Sequence, residues 1–225
     1  MMKTAIVVAA DETYLPAACC AVISCRRTGR VTEPIFLVVS NVSDNAVLAA
    51  RRFLKERRGD AEIIRLPTDL SGYQVDQWIS PAAYTRLHLD DILDGRWHRV
   101  LYLDADTRVL APLGPLLEAD LDGRVLGAVD NIRDHNHTER LSMAVDSRYF
   151  NSGVLLFDWP AVLSAGLLAQ CRCFAVQNPH LCEFWDQDAL NKVFEGLWKP
   201  LHLCWNRGAW IGFYRLPREP AFIKL

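Results

Sequence analysis

Two aspartates one residue apart, Asp104 and Asp106, follow directly on the apolar run Leu101-Tyr102-Leu103. That run has the composition of a buried strand, which puts the pair at a strand's carboxyl end. Ligands of open parallel sheets bind there. Two carboxylates at this spacing can converge on one divalent cation, directly or through water. Their hard oxygens suit Mn²⁺ or Mg²⁺ rather than a thiolate metal. Other polar groups recur at similar places. Asp11 follows Ala9-Ala10, Asp130 follows the apolar stretch 125–129, Asn151 opens another apolar run, and Asp186 and Asp188 flank Gln187. A cation would also solve an electrostatic problem. A diphosphate about 5 Å from a carboxylate is repelled by roughly 3 kcal/mol per pair of unit charges at an effective dielectric of about 20. A bridging divalent ion reverses that sign and stabilises a departing diphosphate.

Each of these residues also has a plainer use. Asp104 and Asp106 can be solvated turn residues, and Asp11 or Asn151 a turn or helix cap. Arg86 can be a surface ion-pair partner, and Asp186 and Asp188 can complement a helix dipole. His135-Asn136-His137 resembles a metal pair but lacks a third ligand, and it is expected in a polar loop, solvated or facing an acceptor. Several well-known signatures are absent. The sequence holds no GxGxxG, no GxxxxGK[ST], no HExxH and no GxSxG. Dinucleotide, P-loop, zincin and hydrolase chemistries therefore lose their main support.

The elements that must position these residues alternate strand and helix. Residues 4–9 read as a strand buried on both faces. Leu15, Ala18, Cys19, Val22 and Ile23 then recur at helical spacing. Residues 34–39 and 61–66 read as strands, with a helix through Val47, Ala50 and Leu54 between them. Short connections imply a parallel sheet with covering helices. A helix is expected over residues 81–93, strands over 100–103, 125–129 and 149–157, and a helix over 187–194. Asp158 is placed to cap a helix with Pro160 in its first turn. His202 falls on a strand by pattern, and no period is visible from Trp205 onward.

Composition sets the bounds. The chain has 225 residues, 51% of them hydrophobic, and a net charge of −2. Surface scaling gives about 10,000 Å² folded against about 37,000 Å² unfolded, enough burial for a core without staples. Twenty-five basic residues against 27 acidic ones disfavour a nucleic-acid partner held by a global positive field. No run approaches the ~20 apolar residues of a membrane span. The N-terminal apolar run stops at Asp11-Glu12, which predicts a strand rather than a secretion signal, and hence a mature cytosolic N-terminus. Seven cysteines without a disulfide or zinc spacing predict a reducing compartment and small core residues. With no repeat and no Gly/Ser linker, one α/β domain over 1–225 is expected.

Taken together, the motifs resemble glycosyltransferase family 8. The resemblance rests on Ala9-Ala10-Asp11, Tyr84-Thr85-Arg86-Leu87, the stretch LYLDADTRVL at 101–110, Phe150-Asn151-Ser152-Gly153-Val154, and Asp186-Gln187-Asp188-Ala189-Leu190-Asn191. These occur in the family's order and cover residues 4 to about 206. The resemblance implies a GT-A fold with a mainly parallel mixed sheet. It implies a nucleotide-binding half at 1–110, a donor-sugar and acceptor half at 111–206 and a tail at 207–225. It further implies a retaining hexosyltransferase using a UDP-sugar, UDP-galactose or UDP-glucose favoured. Ala9, Asp11 and Thr13 would line the uridine pocket. Asp104, Ala105 and Asp106 would meet the diphosphate, with Asp104 and Asp106 holding Mn²⁺ or Mg²⁺. Arg86, Asp130, Asn151, Asp186, Gln187 and Asp188 would surround the donor sugar. Gln187 could place its carbonyl dipole under the anomeric carbon. Front-face attack is favoured over double displacement through Asp130 or Asp186.

The family also carries a C-terminal His-x-x-Gly-x-x-Lys-Pro-Trp motif that supplies a third metal ligand. The sequence given ends at Pro220-Ala221-Phe222-Ile223-Lys224-Leu225, where the resemblance reaches the strand before that histidine. Two function classes follow: a metal-dependent retaining transferase, or a catalytically weak nucleotide-sugar-binding module. The implied acceptor is a glycan or glycolipid of the lipopolysaccharide type. Trp205, Arg207, Trp210, Phe213, Tyr214, Arg215 and Arg218 form an aromatic-basic tail. It would pack on the domain or meet a membrane interface. The expected location is cytoplasmic, with peripheral membrane contact if the tail faces lipid.

Overall fold

The computed structural model describes residues 2–75, 80–131, 136–208 and 223–224. Trp210, Phe213, Tyr214, Arg215, Arg218 and His135 lie outside them. The chain opens with β1 (Thr4–Ala10), α1 (Leu15–Arg27), β2 (Ile35–Val39), α2 (Asp44–Arg57) and β3 (Glu62–Arg65). These pair in parallel in the order β3-β2-β1. Every residue of β1 is buried. Ile6, Val8 and Ala10 enter the core under α1 and α2, while Ala5, Val7 and Ala9 enter the core on the opposite face. Burial on both faces is why this strand reads as an unbroken apolar run. Helix α2 carries the expected ends. Ser43 accepts from the Ala46 amide, Asp44 sits in the first turn, and Arg58 closes it in a left-handed conformation at φ 57°.

β4 (Arg99–Asp104) joins β1 in parallel, with Ala9 beside Asp104. After β5 (Thr107–Arg108) and the short α3 (Gly114–Leu117) comes β6 (Leu126–Asp130). Then follow α4 (Asn136–Arg140), β7 (Phe150–Asp158), α5 (Trp159–Ser164), α6 (Leu167–Gln177), α7 (Trp185–Val193) and β8 (Trp198–Leu201). The seven-stranded order is β3-β2-β1-β4-β7-β6-β8. Only β7 runs against the others: it is antiparallel to both β4 and β6, while β6 and β8 are parallel. This is a mixed, mainly parallel sheet with helices on both faces. A small second sheet joins β5 to β9 (Arg207–Gly208) and β10 (Ile223–Lys224) in the order β5-β10-β9. No helix among the described residues is long and apolar enough to cross a membrane.

Three local expectations change. His202 lies just past β8, where its Nδ1 accepts from the Cys204 amide at 3.3 Å and caps a 3-10 turn at Leu203–Trp205. Of the seven cysteines, all free, Cys20 and Cys173 are exposed and Cys204 is half-buried, so only four serve the core. The segment expected as a helix over 81–93 is a 3-10 helix over Pro81–Asp91, kinked at His88 (φ −117°, ψ 21°).

The kink at His88 turns its ring into a polar chain. Nδ1 meets Asp91 Oδ2 at 2.8 Å, Nε2 meets the Tyr73 hydroxyl at 2.8 Å, and Thr68 donates to Asp91 Oδ2 at 2.8 Å. Asp91 accepts, so Nδ1 carries the proton and Nε2 accepts from Tyr73. Asp90 and Arg172 also face this chain, paired with each other. Burial lowers the His88 pKa, against the hydrogen bond to Asp91. The unfolded ring therefore binds a proton that the folded ring resists. Stability contributed above about pH 6.5 is lost as the pH falls below it. Urea midpoints of the parent should drop on acidification, and His88→Gln should flatten that slope.

Candidate active site

The topology gathers the acids. β1, β4 and β6 all end at one edge of the sheet, and antiparallel β7 begins there. Asp11, the Asp104–Asp106 turn, Asp130 and Asn151 therefore share one rim. A cleft lined by Ala9, Asp11, Arg86, Tyr102, Asp104, Ala105 and Asp106 opens between the ends of β1 and β4. Ala9 and Ala105 keep its walls low. Thr13 is exposed beside it, on the turn that Asp11 closes by accepting from the Tyr14 amide at 2.9 Å.

Arg86 is the hub. The 3-10 helix carries it, only 6% exposed, onto the face of Tyr102 at 4.6 Å. Its Nη2 meets Asp104 Oδ1 and its Nε meets Asp186 Oδ2, both at 2.9 Å. Nη1 donates to the Ser152 carbonyl at 2.6 Å and its hydroxyl at 2.9 Å. A planar fork of five donors fits this array, and a lysine would not. Burial alone would lower the Arg86 pKa, but Asp104 and then Asp186 raise it above its usual value, so the cation is fixed. One guanidinium thus ties β4, β7 and α7 together.

Helix α7 supplies the remaining polar wall. Asn191 clamps it to β7, accepting from the Phe150 amide at 2.7 Å and donating to the Phe150 carbonyl at 2.9 Å. Trp185 precedes the acids at φ 50°, a left-handed conformation that costs a non-glycine residue about 1–2 kcal/mol. That turn starts the helix with its acids facing inward. Gln187 Oε1 accepts from the Ser152 amide at 3.0 Å, and Nε2 donates to the Tyr149 hydroxyl at 3.2 Å. Asp188 is fully buried and sits behind this wall. It accepts from Tyr149 at 2.7 Å, from Arg140 Nη2 at 2.9 and 3.0 Å, and from the Phe184 amide at 2.6 Å.

The other named residues fall around the rim. Asp130 pairs with Arg148, whose Nε lies at 2.8 Å and whose guanidinium stacks over Trp198. Asn151 Oδ1 accepts from the Gly153 amide at 3.0 Å and Asn206 Nδ2 at 2.7 Å. His137, expected in a solvated or acceptor-facing loop, is instead buried. Its ring packs 4.7 Å from Tyr149 and 4.6 Å from Phe184, because α4 folds onto the start of α7. Sequence reasoning passed over Tyr102, Arg140, Arg148, Tyr149, Ser152 and Asn206 as site residues. Tyr102 and Ser152 lie inside the motifs quoted above. The other four carry no signal in their spacing.

A divalent cation fits the donor chemistry here. Asp104 and Asp106 offer hard oxygens on one turn, and ions such as Mg²⁺ commonly use one or two carboxylates plus phosphate and water. Arg86 occupies one Asp104 oxygen, but a carboxylate has about four lone-pair sites. Among the described residues, no group of three His, Cys, Asp or Glu side chains forms a complete protein-only cage.

Known proteins resemble this chain in sequence and in fold. General stress protein A of Bacillus subtilis is 27% identical over 154 residues, covering 67% of this chain and 54% of its own length. Glycosyltransferase GlyF of Streptococcus pneumoniae is 26% identical over 219 residues, 97% of this chain and 52% of its own. Lipopolysaccharide 1,2-glucosyltransferase of Escherichia coli is 26% identical over 192 residues, 83% of this chain and 57% of its own. The chain spans about half the length of these relatives. Among solved structures, galactosyltransferase LgtC in complex with donor and acceptor sugar analogs matches with a TM-score of 0.85 at 25% identity. That match covers 98% of this chain and 86% of LgtC. The apo form of GlyE from Streptococcus pneumoniae matches with a TM-score of 0.73 at 21% identity, over 99% of this chain and 54% of GlyE. The seven-stranded sheet and its helices are a GT-A architecture. The model of Glycosyl transferase family 8 matches residues 5–214, and the chain belongs to that family.

Proposed function

We propose that this chain transfers a hexose, with retention, from a UDP-sugar to a glycan or glycolipid acceptor of the lipopolysaccharide type. The observation that carries this reading is the single cleft uniting the ends of β1 and β4 with Arg86, Asp104 and Asp106. The base and ribose would lie along Ala9, Asp11 and Thr13, and the diphosphate at Asp104–Asp106. Mn²⁺ or Mg²⁺ held by Asp104 and Asp106 would supply charge neutralisation for the leaving diphosphate. The names of the E. coli glucosyltransferase and of LgtC support UDP-glucose or UDP-galactose as donor and a lipopolysaccharide-type acceptor.

The chain's own residues favour front-face attack. Asp130 is paired with Arg148, Asp186 with Arg86, and Asp188 is enclosed by three donor groups, Tyr149, Arg140 and the Phe184 amide. Carboxylates so engaged are poor nucleophiles. The acceptor hydroxyl would attack the anomeric carbon as its bond to phosphate breaks, and its proton would pass to the departing phosphate oxygen. Asp186 and Asn151 would hold sugar hydroxyls. Gln187 would present its amide dipole to the developing positive charge.

A thermal-shift screen of UDP-, GDP- and dTDP-sugars, with and without Mn²⁺, tests the donor reading. Ligand at a hundred times its Kd adds about 2.7 kcal/mol. For a chain of this size that raises Tm by roughly 5–10 °C. The rise should require Mn²⁺, favour UDP-sugars and vanish in Asp106→Ala. No shift with any nucleotide would refute it.

A further inference from the structure

The turn that carries Asp106 has a second side. Ala105 and Asp106 separate the donor cleft from another cavity of about 530 Å³, walled by α1, α2 and β5. Three arginines line it, Arg27 from α1, Arg57 from α2 and Arg108 from β5, against a single acid, Asp106. None has a carboxylate partner among the described residues. Arg27 donates to the Arg57 carbonyl at 3.3 Å, and Arg57 lies over the Phe53 ring at 5.5 Å. The Val109 amide donates to Ser24 at 2.9 Å, which fixes β5 against α1 and holds the wall in place.

Helix dipoles account for part of this. Arg27 and Arg57 sit in the last turns of their helices, where cations are favoured. Arg108 is on a strand and has no such reason to join them. Three arginines face one carboxylate, Asp106, on this wall, which leaves an excess of positive charge that an anionic ligand would offset. Guanidinium forks match the oxygens of phosphate, and one carboxylate would satisfy only one of the three. The cavity is larger than a bare phosphate needs, and Phe53 gives it an apolar wall. We propose that this cavity is a second ligand site, binding the phosphate of a phosphomonoester or phosphodiester whose organic part lies along Phe53. The source is a free phosphorylated solute or a lipid head group.

Two probes separate the sources, both without added metal. Glycerol 3-phosphate is titrated by calorimetry, and flotation uses phosphatidylcholine vesicles with and without phosphatidylglycerol. Binding of glycerol 3-phosphate, weakened about tenfold or more in Arg27→Gln/Arg57→Gln/Arg108→Gln, assigns a free solute. Flotation only with phosphatidylglycerol, lost in the same variant, assigns a head group. Arg108→Gln alone touches neither helix end and should weaken the same binding about threefold, so the test survives if the triple variant unfolds. Failure of both probes to bind, or binding that the variants leave unchanged, overturns the proposal. UDP binding with Mn²⁺ should be unchanged in Arg108→Gln, which keeps this outcome separate from the fate of the donor reading.

Discussion

Arg86→Met should lower unfolding free energy by about 3–5 kcal/mol and abolish measurable donor turnover. Removing one partner of a buried ion pair costs that much because the other charge stays buried and uncompensated. Here two carboxylates, Asp104 and Asp186, lose their cation together, and Ser152 loses both donors. A domain of ordinary stability, about 5–15 kcal/mol, can survive the loss. The pH dependence identifies the cause. Acid would neutralise the stranded carboxylates more readily in the folded variant than in its unfolded chain. The deficit in urea midpoint should therefore shrink between pH 7 and pH 5, whereas a mere packing defect would hold constant. Arg86→Lys restores the charge but not the fork. One ammonium cannot span Asp104, Asp186 and Ser152, so stability should recover in part while turnover stays at least tenfold down. An Arg86→Met protein that matched the parent in both measurements would remove Arg86 from the centre of the site.

Much of the scaffold was readable because strands such as β1 bury both faces and cannot hide among polar residues. The rim was readable because Asp104 and Asp106 directly terminate such a run. The direction of β7 was not. Its sequence suits a strand of either sense, and only its position between β4 and β6 makes it antiparallel. The two-residue strands β5, β9 and β10 are too short to carry any period. The helix expected over 81–93 is a 3-10 helix kinked at His88, and apolar spacing over so short a segment does not separate 3.0 from 3.6 residues per turn. The partners of the named acids were hidden for a related reason. Arg140 lies 48 residues from Asp188, and Arg148 lies 18 from Asp130. Local patterns report which residues lie on a face, not which distant cation will meet them. His137 shows the cost: a polar neighbourhood suggested solvent, while tertiary packing seals the ring between Tyr149 and Phe184.

Asp188→Asn should cost about 3 kcal/mol or more and turn the Gln187 amide around. Asp188 receives only donors: Tyr149 and Arg140 on Oδ1, Arg140 and the Phe184 amide on Oδ2. Burial, then Asp188, raise the Tyr149 pKa, so that hydroxyl stays protonated and donates. Its oxygen is then left to accept from Gln187 Nε2, and Oε1 is turned to the Ser152 amide. An asparagine has one acceptor oxygen, so its NH₂ must confront donors on one side. If the oxygen stays where Phe184 and one Arg140 bond reach it, the NH₂ meets the other Arg140 bond and Tyr149. That hydroxyl must then accept from the substituted side chain and donate to Gln187. The Gln187 amide flips, and its NH₂ lands against the Ser152 N–H, two donors face to face. Tyr149→Phe tests the same chain more gently. It leaves Arg140 and Phe184 on Asp188, so stability should fall by only about 1–2 kcal/mol. Gln187 loses its orienting acceptor, so kcat should fall about tenfold or more with little change in donor KM, the split expected of a positioning residue. If kcat instead follows the small loss of stability, the orientation of Gln187 does not depend on Tyr149 and Asp188.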